Sequence, residues 1–136
     1  MYWGNCPFRV YIKSKPGKYG IKIWVCTDVK TSYLLQIQIY TGMVDNTQEV
    51  NQGQRVVLDL MEPFLNNGHG VTTDNLFISF PLADELLKQK MTLVGTLRSN
   101  KKEIPKEFLP NRKGEVHSSM FDFLNGRRIT EADVNP

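Results

Sequence analysis

The 136-residue chain holds only two cysteines, Cys6 and Cys26, too few to staple a small domain by disulfides. No apolar run approaches the roughly 20 residues that a membrane-spanning helix needs. The start, Met-Tyr-Trp-Gly-Asn-Cys-Pro-Phe-Arg, lacks the basic segment followed by an apolar core that marks a secretory leader. Neither a signal peptide nor a membrane segment is therefore expected. Apolar content is not scarce: 40% apolar and 10% aromatic residues suffice for a core and exclude a mostly disordered chain. Positive charge is almost missing from the middle. Residues 31–87 carry Arg55 against seven acids, −6 in all; residues 1–30 carry six bases against Asp28 alone, +5; residues 88–136 carry ten bases against six acids, +4. Basic ends around an acidic centre suit nucleic acid, and on charge alone they suit an ordinary solvated surface equally.

Residues 19–27 alternate Ile21, Ile23 and Val25 against Lys22, Trp24 and Cys26, the period of a strand. After the polar turn Val29-Lys30-Thr31-Ser32, residues 33–40 alternate Leu35, Ile37 and Ile39 against Gln36 and Gln38, predicting an antiparallel hairpin. Gly42-Met43-Val44-Asp45-Asn46 fits a short third strand or a loop. Val56, Val57, Leu60, Met61, Phe64 and Leu65 recur at helical spacing over residues 54–65, with Asn51 or Gln52 as a start and Pro63 in the last turn. Asn66-Asn67-Gly68-His69-Gly70 is a turn, and residues 71–74 predict a brief buried strand. Ser79 and Pro81 suit a helix start, Leu82, Leu86 and Leu87 its apolar stripe, and Lys88 and Lys90 its C-terminal end. Residues 91–97 predict another strand. The order describes a mixed α/β sheet with helices packed on it, followed by loop-rich chain and a frayed tail.

Asp28 ends the first strand and Asp74 the short strand after the first helix. Strands laid side by side would bring these carboxylates together, and Mg²⁺ takes carboxylates, phosphate and water as ligands. Two such ions about 3.5–4 Å apart polarise the attacking and leaving oxygens of a phosphodiester. Asp at a strand end is equally a turn former or a helix cap, and spacing does not choose between these roles.

The words around the aspartates are more specific. Lys15-Pro16-Gly17-Lys18-Tyr19-Gly20-Ile21-Lys22-Ile23-Trp24, then Cys26-Thr27-Asp28, Thr31-Ser32-Tyr33 and Tyr40-Thr41-Gly42, resemble the opening of the catalytic domain of piggyBac-type transposases. Gly68-His69-Gly70, Thr73-Asp74-Asn75-Leu76-Phe77-Ile78-Ser79 and Pro81-Leu82-Ala83 resemble that family's second acidic block, and Gly95-Thr96-Leu97-Arg98-Ser99-Asn100-Lys101-Lys102-Glu103-Ile104-Pro105 its next segment. The match runs from about Phe8 to about Phe123. Ser32 stands where the family usually has Gly, and Ile78 where it usually has Thr.

The resemblance implies a ribonuclease H-like α/β fold, a mixed sheet with flanking helices, expected to be incomplete at its C-terminal end and so to expose an apolar face. Residues 1–14 are then a lead-in, 15–100 the first part of the catalytic core, and 101–136 the loop-rich segment and tail. It further implies metal-dependent DNA cleavage and transfer, with Asp28 and Asp74 matching the first two catalytic, Mg²⁺- or Mn²⁺-binding acids. The third acid has no match before Pro136, so the chain alone is expected to be inactive, with a non-catalytic DNA- or chromatin-binding role as the alternative. Lys15, Lys18, Lys22, Arg98, Lys101 and Lys102 are candidate DNA contacts. The family implies a nuclear location, DNA and a second copy of the chain as partners, and neither membrane nor small-molecule substrate.

His69, His117, Cys6 and Cys26 have no tight ligand spacing for zinc. Cys26 is expected to be buried, His69 to sit in a turn, Asn75 to orient Asp74 or start a turn, and Trp24, Tyr33, Tyr40 and Phe77 to be core residues.

Overall fold

Alternating β-branched and aromatic side chains form strands close to where the sequence places them. A computed structural model describes residues 4–42, 49–98, 101, 102, 104, 106, 121–124 and 127–130. In chain order the elements are β1 (Val10–Tyr11), β2 (Tyr19–Gly20), β3 (Ile23–Thr27), β4 (Leu34–Ile39), α1 (Gln52–Met61), β5 (Gly70–Thr73), α2 (Phe80–Lys88), β6 (Thr92–Gly95), β7 (Phe121–Leu124) and β8 (Arg127–Thr130). The class is mixed α/β. The chain divides into two compact units, Met1–Thr96 and Leu97–Pro136.

Among the described residues the strands pair two by two. β1 and β2 are antiparallel, with Tyr11 opposite Tyr19, so a small ribbon joins the expected lead-in to the start of the expected core. β3 and β4 form the predicted antiparallel hairpin, with Trp24 opposite Gln38 and a register shift between Cys26 and Thr27. β5 and β6 are parallel, with Thr73 opposite Gly95. Parallel neighbours need a crossover, and α2 supplies it. The predicted strand over residues 19–27 is divided, because Ile21 and Lys22 separate β2 from β3. Gly42 lies outside any strand, and the rest of the ambiguous stretch, residues 43–46, falls outside the described residues.

α1 begins at Gln52 after Asn51, whose φ of 58° is left-handed and breaks the preceding chain. It ends where Pro63 cannot donate to a further helical turn, and residues Glu62–Phe64 tighten into a 3₁₀ turn. α2 is capped as predicted: the Ser79 hydroxyl accepts a hydrogen bond from the Leu82 N–H, a cap worth about 1 kcal/mol. The core of the first unit lies where the two helices meet β5. Val57, Met61, Val71, Leu82, Leu86 and Met91 form one buried cluster, and Trp24, Val56 and Leu60 a second, with Cys26 and Phe77 packed against both. Leu82 and Leu86 are fully buried, which contributes about 1.5–3 kcal/mol each. Leu87, expected in the same stripe, is half-exposed, because one helical step of about 100° beyond Leu86 turns it off the buried face.

The hairpin faces distribute unexpectedly. Trp24 is buried and Cys26 partly so, whereas Ile23, Val25, Leu35, Ile37 and Ile39 are between 40% and 53% exposed. The glutamines of β4 therefore share the α1 side. The Gln38 amide donates to Asp59 Oδ2 at 3.0 Å and its oxygen accepts from Arg55 at 3.2 Å, while Arg55 also pairs with Asp59 at 2.5 Å and with Glu49. Tyr33, expected in the core, is exposed because it lies in the hairpin turn just before β4. In the second unit β7 and β8 pair with Leu124 opposite Arg127, a hairpin where loop was expected. The signal was Asn125-Gly126, a dipeptide suited to a two-residue hairpin turn.

Candidate functional site

Asp28 follows the last residue of β3 and organises the turn into β4. Its Oδ2 accepts hydrogen bonds from the Thr31 N–H at 2.8 Å and the Thr31 hydroxyl at 2.6 Å. Its backbone closes the same turn, the N–H donating to the Tyr33 carbonyl and the carbonyl accepting from the Ser32 N–H, each at 2.9 Å. Ser32 carries a left-handed φ of 57°, the conformation in which a glycine costs less. The Thr31 hydroxyl and then the Thr31 N–H hold the Asp28 carboxyl below its ordinary pKa, since both bonds favour the charged form. Asp28 is thus an Asx-turn residue and an ionised carboxylate together. Sequence reading had named the aspartate but not Thr31; the Asp-x-x-Thr spacing carries that signal.

Asp74 follows the last residue of β5 and is exposed. Its Oδ1 accepts from the Asn75 N–H at 2.6 Å and its carbonyl from the Phe77 N–H at 3.0 Å, so Asn75 touches the carboxylate through its backbone. The residue before it, Thr73, sits opposite Gly95 of β6, where an added Cβ would lie 2.4 Å from the Thr73 carbonyl oxygen and 3.0 Å from Ile78 Cδ1. Glycine at 95 is required by that close approach, with no left-handed backbone involved. Thr73 Oγ1 is buried and has no hydrogen-bond partner among the described residues.

The two aspartates border one cleft of about 750 Å³. Consecutive residues of both strands line it, residues 23–30 on one side and 69–74 on the other. Because side chains alternate between faces along a strand, such continuous lining means that the strand edges, not one face of each, border the cleft. Neither edge is paired across it, since β3 bonds β4 and β5 bonds β6. The floor is apolar, from Val56, Val57, Leu60 and Met61 of α1 together with Phe77. His69 also lines it, exposed and edge-on to Phe64 at 6.4 Å between ring centres. Among the described residues no group of three or more His, Cys, Asp or Glu side chains is gathered as a metal site.

The candidate basic residues fall in two places. Lys15, Lys18 and Lys22 line a second groove of about 470 Å³ beside the β1–β2 ribbon. Lys15 and Lys18 are exposed, but the Lys22 ammonium lies 4.8 Å from the centre of the Trp24 ring and 5.4 Å from that of Tyr40, a cation–π position that engages part of its charge. Arg98, Lys101 and Lys102 belong to the second unit, where the Lys101 N–H bonds the Arg98 carbonyl at 3.1 Å in a turn. Sequence reading missed a third basic feature: the Arg9 guanidinium lies 4.5 Å from the centre of the Tyr19 ring.

Known proteins resemble this chain in sequence and in fold. A family model described as "Transposase IS4" matches residues 1–130. Human PiggyBac transposable element-derived protein 3 and the human chimeric ERCC6-PGBD3 protein are each 29% identical over 104 residues, 73% of this chain, which spans 17% and 10% of their respective lengths. The chain also resembles a piggyBac transposase solved by cryo-EM as a synaptic complex with hairpin DNA, at a TM-score of 0.79 and 44% identity over 88% of this chain and 26% of that one. No helix among the described residues is long and apolar enough to cross a membrane.

Proposed function

The chain belongs to the transposase IS4 family as a relative of the piggyBac-type transposases, and from that premise we propose that its first unit is part of a metal-dependent DNA strand-cleavage and strand-transfer domain, with Asp28 and Asp74 as cation ligands. The observation that carries this reading is the one cleft lined by both aspartates, each one residue beyond the end of its strand. The donor set fits a hard divalent ion. Both side chains offer oxygen, Asp28 is ionised well below neutral pH, and Mg²⁺ or Mn²⁺ is commonly held by one or two carboxylates with phosphate and water completing the shell. A cation bound there would supply Lewis-acid polarisation of a phosphodiester oxygen. The protein's own part is to fix the acids: Thr31 orients Asp28, the Asn75 N–H orients Asp74, and the β5–β6 pair sets where Asp74 leaves the sheet.

The unpaired edges of β3 and β5 support a ribonuclease H-like arrangement in the assembled domain. Parallel pairing of these edges would join β4, β3, β5 and β6 into one mixed sheet and set Asp28 beside Asp74. DNA is the proposed partner, on the likeness to a transposase bound to hairpin DNA and on the exposed lysines of the second groove, which would give salt-dependent contact with phosphates. A nuclear location follows from a DNA substrate. Two carboxylates hold one cation without the further ligands that a two-ion site needs, so the chain by itself is proposed to bind metal weakly and not to transpose.

Mn²⁺ titration followed by paramagnetic broadening of backbone amide signals tests this. Signals around Asp28 and Asp74 should broaden together, and Asp74→Asn should remove both effects. Broadening confined elsewhere, or unchanged in Asp74→Asn, would sink the reading. Cleavage of labelled DNA by the chain alone that disappears in Asp28→Ala would overturn the proposed inactivity.

A further inference from the structure

The β1–β2 ribbon contributes to neither core cluster, yet it displays two aromatic rings. Tyr11 is 51% and Tyr19 43% exposed. They face each other across the ribbon with ring centres 5.0 Å apart and planes inclined by 53°, and the Arg9 guanidinium lies 4.5 Å over Tyr19. Arg9, Tyr19 and Tyr11 therefore make a row of three planar groups on one side of a two-stranded ribbon. A cross-strand aromatic pair stabilises a ribbon modestly, and about half of each tyrosine remains in water. The charged residues of the ribbon segment itself are all basic. Arg9, Lys13, Lys15 and Lys18 lie on the ribbon and its turn, and no Asp or Glu precedes Asp28.

We propose that this ribbon is a stacking site for an unpaired nucleobase, Tyr11 taking the base at the open end of the row and the ribbon's cations its flanking phosphates. The proposal rests on DNA being the partner and names the feature of DNA that this surface reads. In a duplex, base faces are covered by their neighbours, so an exposed ring beside a phosphate-attracting surface suits a single-stranded or extruded base. The ribbon segment's own bases complement a polyanion and disfavour a basic partner.

The test measures binding of the full chain to a short labelled single strand, to the blunt duplex of the same sequence, and to the single strand with abasic sites, by fluorescence anisotropy. Tyr11→Ala should weaken single-strand binding about 5- to 150-fold, as expected for one lost base stack, and should leave duplex binding unchanged, with the melting temperature lowered by no more than the loss of one cross-strand pair. Tyr11→Phe should bind as the unmodified chain does, because the ring and not the hydroxyl stacks. On the abasic strand the difference between the unmodified chain and Tyr11→Ala should vanish. Equal losses on strand and duplex, or a loss in Tyr11→Phe matching that of Tyr11→Ala, would overturn the stacking site while leaving DNA binding intact. No binding of any probe would instead overturn the DNA reading and this inference with it.

Discussion

Asp28 shows how one residue type serves structure and chemistry together. A strand-end aspartate closes its turn by accepting bonds from the residue three positions on, and the same bonds keep it charged. Because the folded-state pKa is lowered, the stabilisation that Asp28 contributes is present above its unfolded value and is lost as pH falls through the folded one. Neutral solution therefore keeps both the turn and the carboxylate intact. Thr31→Val removes the hydroxyl donor and keeps the N–H. A carboxyl NMR titration should show the Asp28 pKa rising toward the ordinary value of about 3.9, and the acid limb of any Mn²⁺ affinity should move up with it. An unchanged titration would show that the Thr31 hydroxyl has no hold on the acid.

Among the elements, the β5–β6 pair controls where Asp74 stands. Gly95 lets β6 approach so closely that a single added methyl would meet the Thr73 carbonyl at 2.4 Å, and backbone must move to relieve it. Gly95→Ala should destabilise the first unit by about 1–3 kcal/mol, as overpacking does, lowering the melting temperature by several degrees. Chemical-shift changes should concentrate at residues 72–75, next to the proposed ligand. A variant that melts normally with undisturbed shifts there would mean that the pair relaxes elsewhere. α1 acts differently: it covers the hairpin with Val56 and Leu60 against Trp24 and ties its exposed flank to Gln38 through Arg55. Its ion pairs are half-exposed, so each contributes at most about 1 kcal/mol, and their plainer role is to choose which hairpin face meets the helix.

For the molecule as a whole, that choice leaves Ile23, Val25, Leu35, Ile37 and Ile39 in water on the opposite face. A contiguous aliphatic stripe of this kind promotes association. The isolated chain should sediment as a concentration-dependent mixture, and Val25→Lys with Ile37→Lys should shift it toward monomer without lowering its melting temperature. A monodisperse, cooperatively melting unmodified chain would contradict this. The division into Met1–Thr96 and Leu97–Pro136 places the aspartates and the candidate bases Arg98, Lys101 and Lys102 in different units, whereas Lys15, Lys18 and Lys22 share the unit of the acids.

The sequence by itself determined the β3–β4 hairpin, both helices and strands β5 and β6, because alternation, helical spacing, the Ser79 cap and the Pro63 stop act over a few residues; the family was legible too, in words that surround Asp28 and Asp74. It also placed each aspartate at a strand end, where a short polar side chain closes a turn. Only the tertiary structure decided which hairpin face is inner, since Ile23 and Trp24 alternate equally well and the choice depends on what α1 presents. It likewise decided that the Tyr40 ring comes over Lys22 from the end of the neighbouring strand, and that β3 and β5 face one cleft with unpaired edges. The inner face and the cleft depend on contacts between residues far apart in the chain, which no local pattern records.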